Sequence, residues 1–98
     1  MNIRQTKNEK ALTIAVEGRL DTMTAPELEE VLKNSLEGIE ALTFDLEKLD
    51  YISSAGLRVL LSAQKTMNNQ GTMKVLHANE IVMEIFEVTG FSDILTIE

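Results

Sequence analysis

The chain has no cysteine and no tryptophan, and only one histidine and one proline among its 98 residues. Without cysteine there can be no disulfide, no thiolate metal ligand and no cysteine nucleophile. A lone His77 leaves too few strong ligands for a zinc site. No apolar run approaches the roughly 18–20 residues needed to cross a bilayer. The N-terminus, Met1-Asn2-Ile3-Arg4-Gln5, lacks the long apolar core of a signal peptide. Cations are scarce as well. Nine Lys and Arg against sixteen Asp and Glu give a formal charge of −7. That balance argues against binding the phosphate backbone of nucleic acids or an anionic lipid surface. A soluble, cytoplasmic protein is expected.

Hydrophobic residues at 44% and charged residues at 26% are in the globular range. No repeat, low-complexity tract or Pro/Gly/Ser-rich linker divides the sequence, so residues 1–98 are expected to form one domain. Residues 2–7 read as an edge strand and Asn8-Glu9-Lys10 as a turn. Leu12, Ile14 and Val16 alternate with Thr13 and Ala15, the period of a strand with one apolar face, and Gly18 is expected to end it. Thr24-Ala25-Pro26-Glu27 reads as a helix start. Thr24 is placed to cap, Glu27 to reach back, and Pro26 has no N–H to leave unpaired. Leu28, Val31, Leu32, Ser35 and Leu36 continue at helical spacing up to Gly38.

Leu42, Phe44 and Leu46 form a second alternating strand, followed by an expected loop over 47–53. A helix is predicted from about Ala55 to Asn69, with Arg58, Ser62, Lys65 and Asn69 facing solvent and Gly71 as its stop. A strand over 73–77, a helix capped by Asn79 and ended by Gly90, and a last strand over 94–97 complete the pattern. Such alternation implies an α/β fold, a mostly parallel mixed sheet with right-handed strand–helix crossovers and an N-terminal edge strand. Met67, Met73 and Met83 fall at core spacing; Met23 fits either packing or an exposed binding position.

The most informative segment is Leu49-Asp50-Tyr51-Ile52-Ser53-Ser54-Ala55-Gly56-Leu57-Arg58, which follows a strand and opens a helix. Ser53 or Ser54 suits the N-cap, where a hydroxyl accepts a hydrogen bond from an unpaired N–H. Glycine at a helix start costs up to ~1 kcal/mol relative to alanine, so Gly56 implies a close approach to the backbone. An exposed serine at the positive end of a helix is also a favourable place for a phosphate, and Arg58 lies one turn on.

Residues 50–61, Asp50-Tyr51-Ile52-Ser53-Ser54-Ala55-Gly56-Leu57-Arg58-Val59-Leu60-Leu61, resemble the signature of STAS domains, the anti-sigma factor antagonist family. Gly18-Arg19-Leu20-Asp21-Thr22-Met23-Thr24-Ala25 is similar to that family's Gly-x-Leu-Asp stretch. Ile85-Phe86-Glu87-Val88-Thr89-Gly90-Phe91 is similar to its last helix and exit. The order and spacing match across nearly the whole chain.

The resemblance implies a small α/β binding module. In its antagonist subgroup, the unphosphorylated module binds an anti-sigma factor, often a serine kinase, and frees the sigma factor. Phosphorylation ends the binding and a phosphatase restores it. The match places the phosphoacceptor at Ser54, with Ser53 as the alternative. It places the partner face at Asp21, Thr22, Met23, Ser53, Ser54, Gly56 and Arg58. Two departures stand out: Ser53 occupies a position that is acidic in the best-known switches, and Ala55 replaces a frequent Ser or Thr. A non-switching STAS adaptor, such as an accessory subunit of a membrane transport complex, is the alternative reading.

No cofactor and no catalytic residue are expected. There is no Gly-x-x-x-x-Gly-Lys-Ser/Thr loop for a triphosphate. His77 has no evident carboxylate to orient it as a general base. Asp45 and Glu47 read as a strand-end cap rather than a proton-sharing pair. A nucleotide-sensing role finds no recognisable purine pocket.

Overall fold

The computed structural model describes every residue, Met1–Glu98. The chain runs β1 (Asn2–Asn8), β2 (Ala11–Leu20), α1 (Ala25–Ser35), β3 (Ala41–Asp45), β4 (Leu49–Ile52), α2 (Ser54–Asn68), β5 (Thr72–Leu76) and α3 (Glu80–Thr89). A short 3-10 turn follows at Phe91–Asp93. The five strands form one mixed sheet in the order β1-β2-β3-β5, with β4 paired to β2. Only β1 is antiparallel, joined to β2 by the tight turn at Glu9 and Lys10. The α/β architecture with an N-terminal edge strand is as the alternation predicts.

Strand register explains the core. Leu12 pairs with Leu42 and Ile14 with Phe44, and these pair in turn with Met73 and Val75. All six are buried, so every second residue of three adjacent strands points to one face. The helices supply the complementary stripe: Ala25, Leu28 and Leu32 from α1, and Leu57, Leu60 and Met67 from α2. Burying each large side chain of this set contributes roughly 1.5–3 kcal/mol. Arg58, Ser62, Lys65 and Asn69 form the exposed stripe of α2, as their spacing predicts.

Four expectations need correction. β2 does not end at Gly18; it passes through a register shift between Gly18 and Arg19 and continues to Leu20. Residues 49–52, expected as loop, form β4, parallel to the far half of β2. The last strand reduces to a single bridge, Val75 with Ile97, because the 3-10 turn occupies the preceding residues. Gly71 does not end α2 through left-handed backbone; Asn69 closes the helix in right-handed conformation.

What Gly71 provides is space. A Cβ there would sit 1.9 Å from the carbonyl oxygen of Glu40, where the chain enters β3. That carbonyl accepts the N–H of Thr72 at 2.9 Å, so backbone meets backbone at the start of β3 and β5. The Gln70 amide bonds the carbonyls of Leu36 and Ile39, both at 2.6 Å, and so ties the end of α2 to the α1–β3 connection. A Gly71→Ala variant must displace backbone rather than a flexible side chain. It is expected to lose about 1–3 kcal/mol or more of stability, measured by urea unfolding.

Candidate functional site

The site grows from the pairing of β2 with β4. These strands are parallel, with Arg19 opposite Tyr51 and Leu20 opposite Ile52. The Ser53 N–H extends the ladder by donating to the Leu20 carbonyl at 2.9 Å. Asp21 and Ser53 therefore leave the sheet side by side at its carboxyl end, the usual place for a binding site in an α/β sheet. Each exit leads directly into a helix, α1 at Ala25 and α2 at Ser54, so two positive helix ends flank the junction.

The turn over 21–24 is held by Asp21. Its Oδ1 accepts the N–H of Met23 at 3.0 Å and of Thr24 at 3.2 Å. The Asp21 carbonyl accepts the N–H of Ala25 at 2.7 Å. The expected Thr24 cap does not form. Thr24 already has helical backbone angles, and its hydroxyl turns back to donate to the Arg19 carbonyl at 2.8 Å. The Asp21 carboxylate takes over the task, as short acidic side chains do in tight turns. Partial desolvation pushes the Asp21 pKa up. The Met23 and Thr24 N–H groups, the Thr24 hydroxyl and the Arg19 charge more than offset it, holding the carboxyl below its ordinary value.

Two residues that the sequence pattern did not single out brace this turn. The Arg19 guanidinium lies 4.5 Å from the centre of the Tyr51 ring, and its Nε lies 3.6 Å from Asp21 Oδ2. The ring face attracts the cation, and the carboxylate holds its other side. The signal for this pair is the register Arg19 opposite Tyr51, which becomes visible only once β4 is recognised as a strand.

At the start of α2 the two serines divide. Ser53 is the N-cap residue with extended backbone, and its carbonyl accepts the Leu57 N–H at 2.9 Å. Its hydroxyl makes no cap: Ser53 Oγ is buried and has no hydrogen-bond partner. Ser54, the first helical residue, is exposed. No side chain caps the helix, so an anion on Ser54 would meet unclaimed first-turn N–H groups.

Gly56 does not face outward. It is buried, and a Cβ would lie 2.7 Å from Leu20 Cγ and 2.8 Å from Ile52 Cγ1. The close approach that its helical cost implies is therefore internal, letting α2 settle onto the ends of β2 and β4. Arg58 is exposed and forms no ion pair. With Thr22, Ala25, Pro26 and Ala55 it borders a shallow hollow of about 330 Å³ between the starts of α1 and α2. Met23 is 88% exposed, which removes the packing alternative for it. Asp21, Thr22, Met23, Ser53, Ser54 and Arg58 thus cluster at one end of the sheet, with Gly56 beneath them.

His77 stands apart from this cluster. Contrary to expectation it has a carboxylate partner, Asp45 Oδ1 at 3.0 Å from its Nδ1, and this is its only hydrogen bond. No hydroxyl lies within hydrogen-bond reach of the ring.

A parallel sheet edge that presents a braced acidic turn beside an uncapped helix start defines a binding module of the α/β class. The chain belongs to the STAS domain family, whose model matches residues 2–98. It is 33% identical over 97 residues to the anti-sigma-B factor antagonist of Staphylococcus aureus, covering 97% of this chain and 90% of that one. Its fold is shared by an anti-sigma factor antagonist from Mycobacterium paratuberculosis, with a TM-score of 0.89 at 20% identity over 98% of this chain and 83% of that one. SpoIIAA of Bacillus in its phosphorylated form also shares the fold, with a TM-score of 0.77 at 13% identity over 99% of this chain and 91% of that one. No helix is long and apolar enough to cross a membrane.

Two predictions follow from the geometry. Ser53→Ala removes a buried hydroxyl that has no partner, so stability should be unchanged or rise slightly in urea unfolding; a working N-cap would instead cost about 1 kcal/mol. The Asp21 bonds are stronger to the ionised carboxylate, which lowers its pKa and stabilises the turn at neutral pH. That contribution is lost as pH falls through the folded-state pKa. The Met23 and Thr24 amide resonances should therefore titrate together in acid, with a midpoint below that of an unstructured aspartate, and Asp21→Asn should abolish the transition.

Proposed function

We propose that this chain is an anti-sigma factor antagonist switched by phosphorylation at Ser54. The observation that carries the reading is the contrast between the two serines. Ser54 presents its hydroxyl to solvent at the first position of α2, whereas Ser53 Oγ is buried. An incoming kinase can reach the first and not the second, which favours Ser54 as acceptor. The 33% identity with the S. aureus anti-sigma-B factor antagonist supports the class of partner, an anti-sigma factor; in this proposal that factor is also the serine kinase that modifies Ser54.

In this reading the unphosphorylated module binds the anti-sigma factor through Asp21, Thr22, Met23, Ser54 and Arg58, and the sigma factor is freed. The module performs no chemistry and needs no cofactor; it is the substrate. The Ser54 hydroxyl oxygen attacks the γ-phosphorus of kinase-bound ATP, the bond to ADP breaks, and the hydroxyl proton passes to a base of the kinase. The new phosphate carries about −1.5 to −2 charges. The α2 N-terminus can hold it without disturbing the fold, while its bulk and charge block the partner. A phosphatase resets the module. Both states belong to a cytoplasmic protein.

Ser54→Asp is expected to weaken binding of the cognate anti-sigma factor at least about tenfold while leaving the fold intact by circular dichroism, and Ser54→Ala should bind like the parent. Equal affinity of the Asp variant and the parent would favour the non-switching adaptor, the reading to which the non-acidic Ser53 points.

A further inference from the structure

Asp45 ends β3 and His77 follows β5, and the parallel register of these strands sets Asp45 opposite Leu76. Two side chains 32 residues apart are thereby brought to a contact of 3.0 Å between His77 Nδ1 and Asp45 Oδ1. Glu47 joins them: its N–H donates to the same Asp45 oxygen at 3.1 Å. One donor atom from each of Asp45, Glu47 and His77 lies within 4.8 Å of the others. His77 holds left-handed backbone, φ 62°, a conformation that costs a non-glycine residue energy and here aims its ring at the two carboxylates.

Two ligand atoms about 2.1 Å from one ion stand roughly 3.0–3.4 Å apart, from right-angle to tetrahedral geometry, close to the 3.0 Å between His77 Nδ1 and Asp45 Oδ1. The Glu47 carboxylate, within 4.8 Å of both, has to move only slightly to join them. The scarcity of cysteine and histidine in the sequence argues against a closed zinc site; it does not exclude one nitrogen and two carboxylate oxygens gathered by strand register. We propose that Asp45, Glu47 and His77 form an open, exchangeable site for a divalent transition-metal ion of the Zn²⁺ class. The imidazole nitrogen favours such ions over Mg²⁺ and Ca²⁺, which prefer all-oxygen shells. Three protein donors leave positions for water, the pattern of an exchangeable rather than a structural site.

The local charge is compatible with a cation. Arg4 and Lys48 border the adjoining hollow, but Arg4 is paired with Glu17, and the carboxylates of Glu17, Asp45 and Glu47 outnumber the two cations. An ion here would fasten the end of β3, the turn into β4 and the end of β5 to one another.

Calorimetric titration of chelator-treated protein with ZnCl2 and, separately, MgCl2 tests the site. One Zn²⁺ per chain is expected with a dissociation constant on the order of 1–100 μM and no response to Mg²⁺. Glu47→Gln keeps the Asp45–His77 hydrogen bond but removes a charged ligand, and should weaken Zn²⁺ at least about tenfold; His77→Ala should abolish the response. Absence of Zn²⁺ binding by the parent would overturn the proposal and leave the contact as a simple clasp between β3 and β5. Parent-like affinity in both variants would overturn it equally, by placing the ion on other surface carboxylates.

Discussion

The hydrogen-bonded pairing of β2 with β4 is the constraint on which the candidate site depends. β2 serves three partners: β1 antiparallel, β3 along its first half, and β4 from Gly18 to Leu20, across the register shift between Gly18 and Arg19. The last of these is short, yet it sets Leu20 opposite Ile52 and lets the Ser53 N–H bond the Leu20 carbonyl. Two turns separated by about thirty residues of chain are thereby held adjacent. Because the strands are parallel, both turns open at the same end and both feed helix N-termini, so first-turn N–H groups of α1 and α2 face the same side of the molecule.

The start of α2 divides its tasks among neighbouring residues. Gly56 faces inward and admits the side chains of Leu20 and Ile52, which seats the helix on the paired strands. Ser53 supplies backbone at the cap position and hides its hydroxyl. Ser54 and Arg58 point outward, one turn apart. The identity of Gly56 is thus a packing requirement that fixes where Ser54 emerges, and a wider residue there would move the serine without touching it. Arg19 does the equivalent for the neighbouring turn, lying between the Tyr51 ring and the Asp21 carboxylate.

Much of this fold was legible in the sequence because the sheet buries one face strongly. Leu12, Ile14 and Val16, then Leu42 and Phe44, then Met73 and Val75 show the period of two that a one-sided strand imposes. The Asn79 cap was equally legible, and its side chain does accept the Val82 N–H. β4 was not. Its buried residues are Leu49 and Ile52, three apart in a four-residue strand, so no alternation marks it. The capping role of Thr24 was misassigned because the turn begins three residues earlier: Asp21 accepts the Met23 and Thr24 N–H groups, and the Thr24 hydroxyl turns back to Arg19 and Asp21. The motif residues could be named from sequence, but the inward turn of Gly56 and of the Ser53 hydroxyl follows from packing between distant segments. The contact between His77 and Asp45 depends in the same way on the register of β3 against β5.

The central claim concerns one hydroxyl, and its most direct test is chemical. The protein should be incubated with its cognate anti-sigma kinase and ATP, and the product examined by intact mass and by fragmentation that distinguishes adjacent serines. The account predicts a single added phosphate, located on Ser54, with Ser53 unmodified because its oxygen is buried. A phosphate on Ser53, or none on either serine under conditions where the kinase is active, would contradict it.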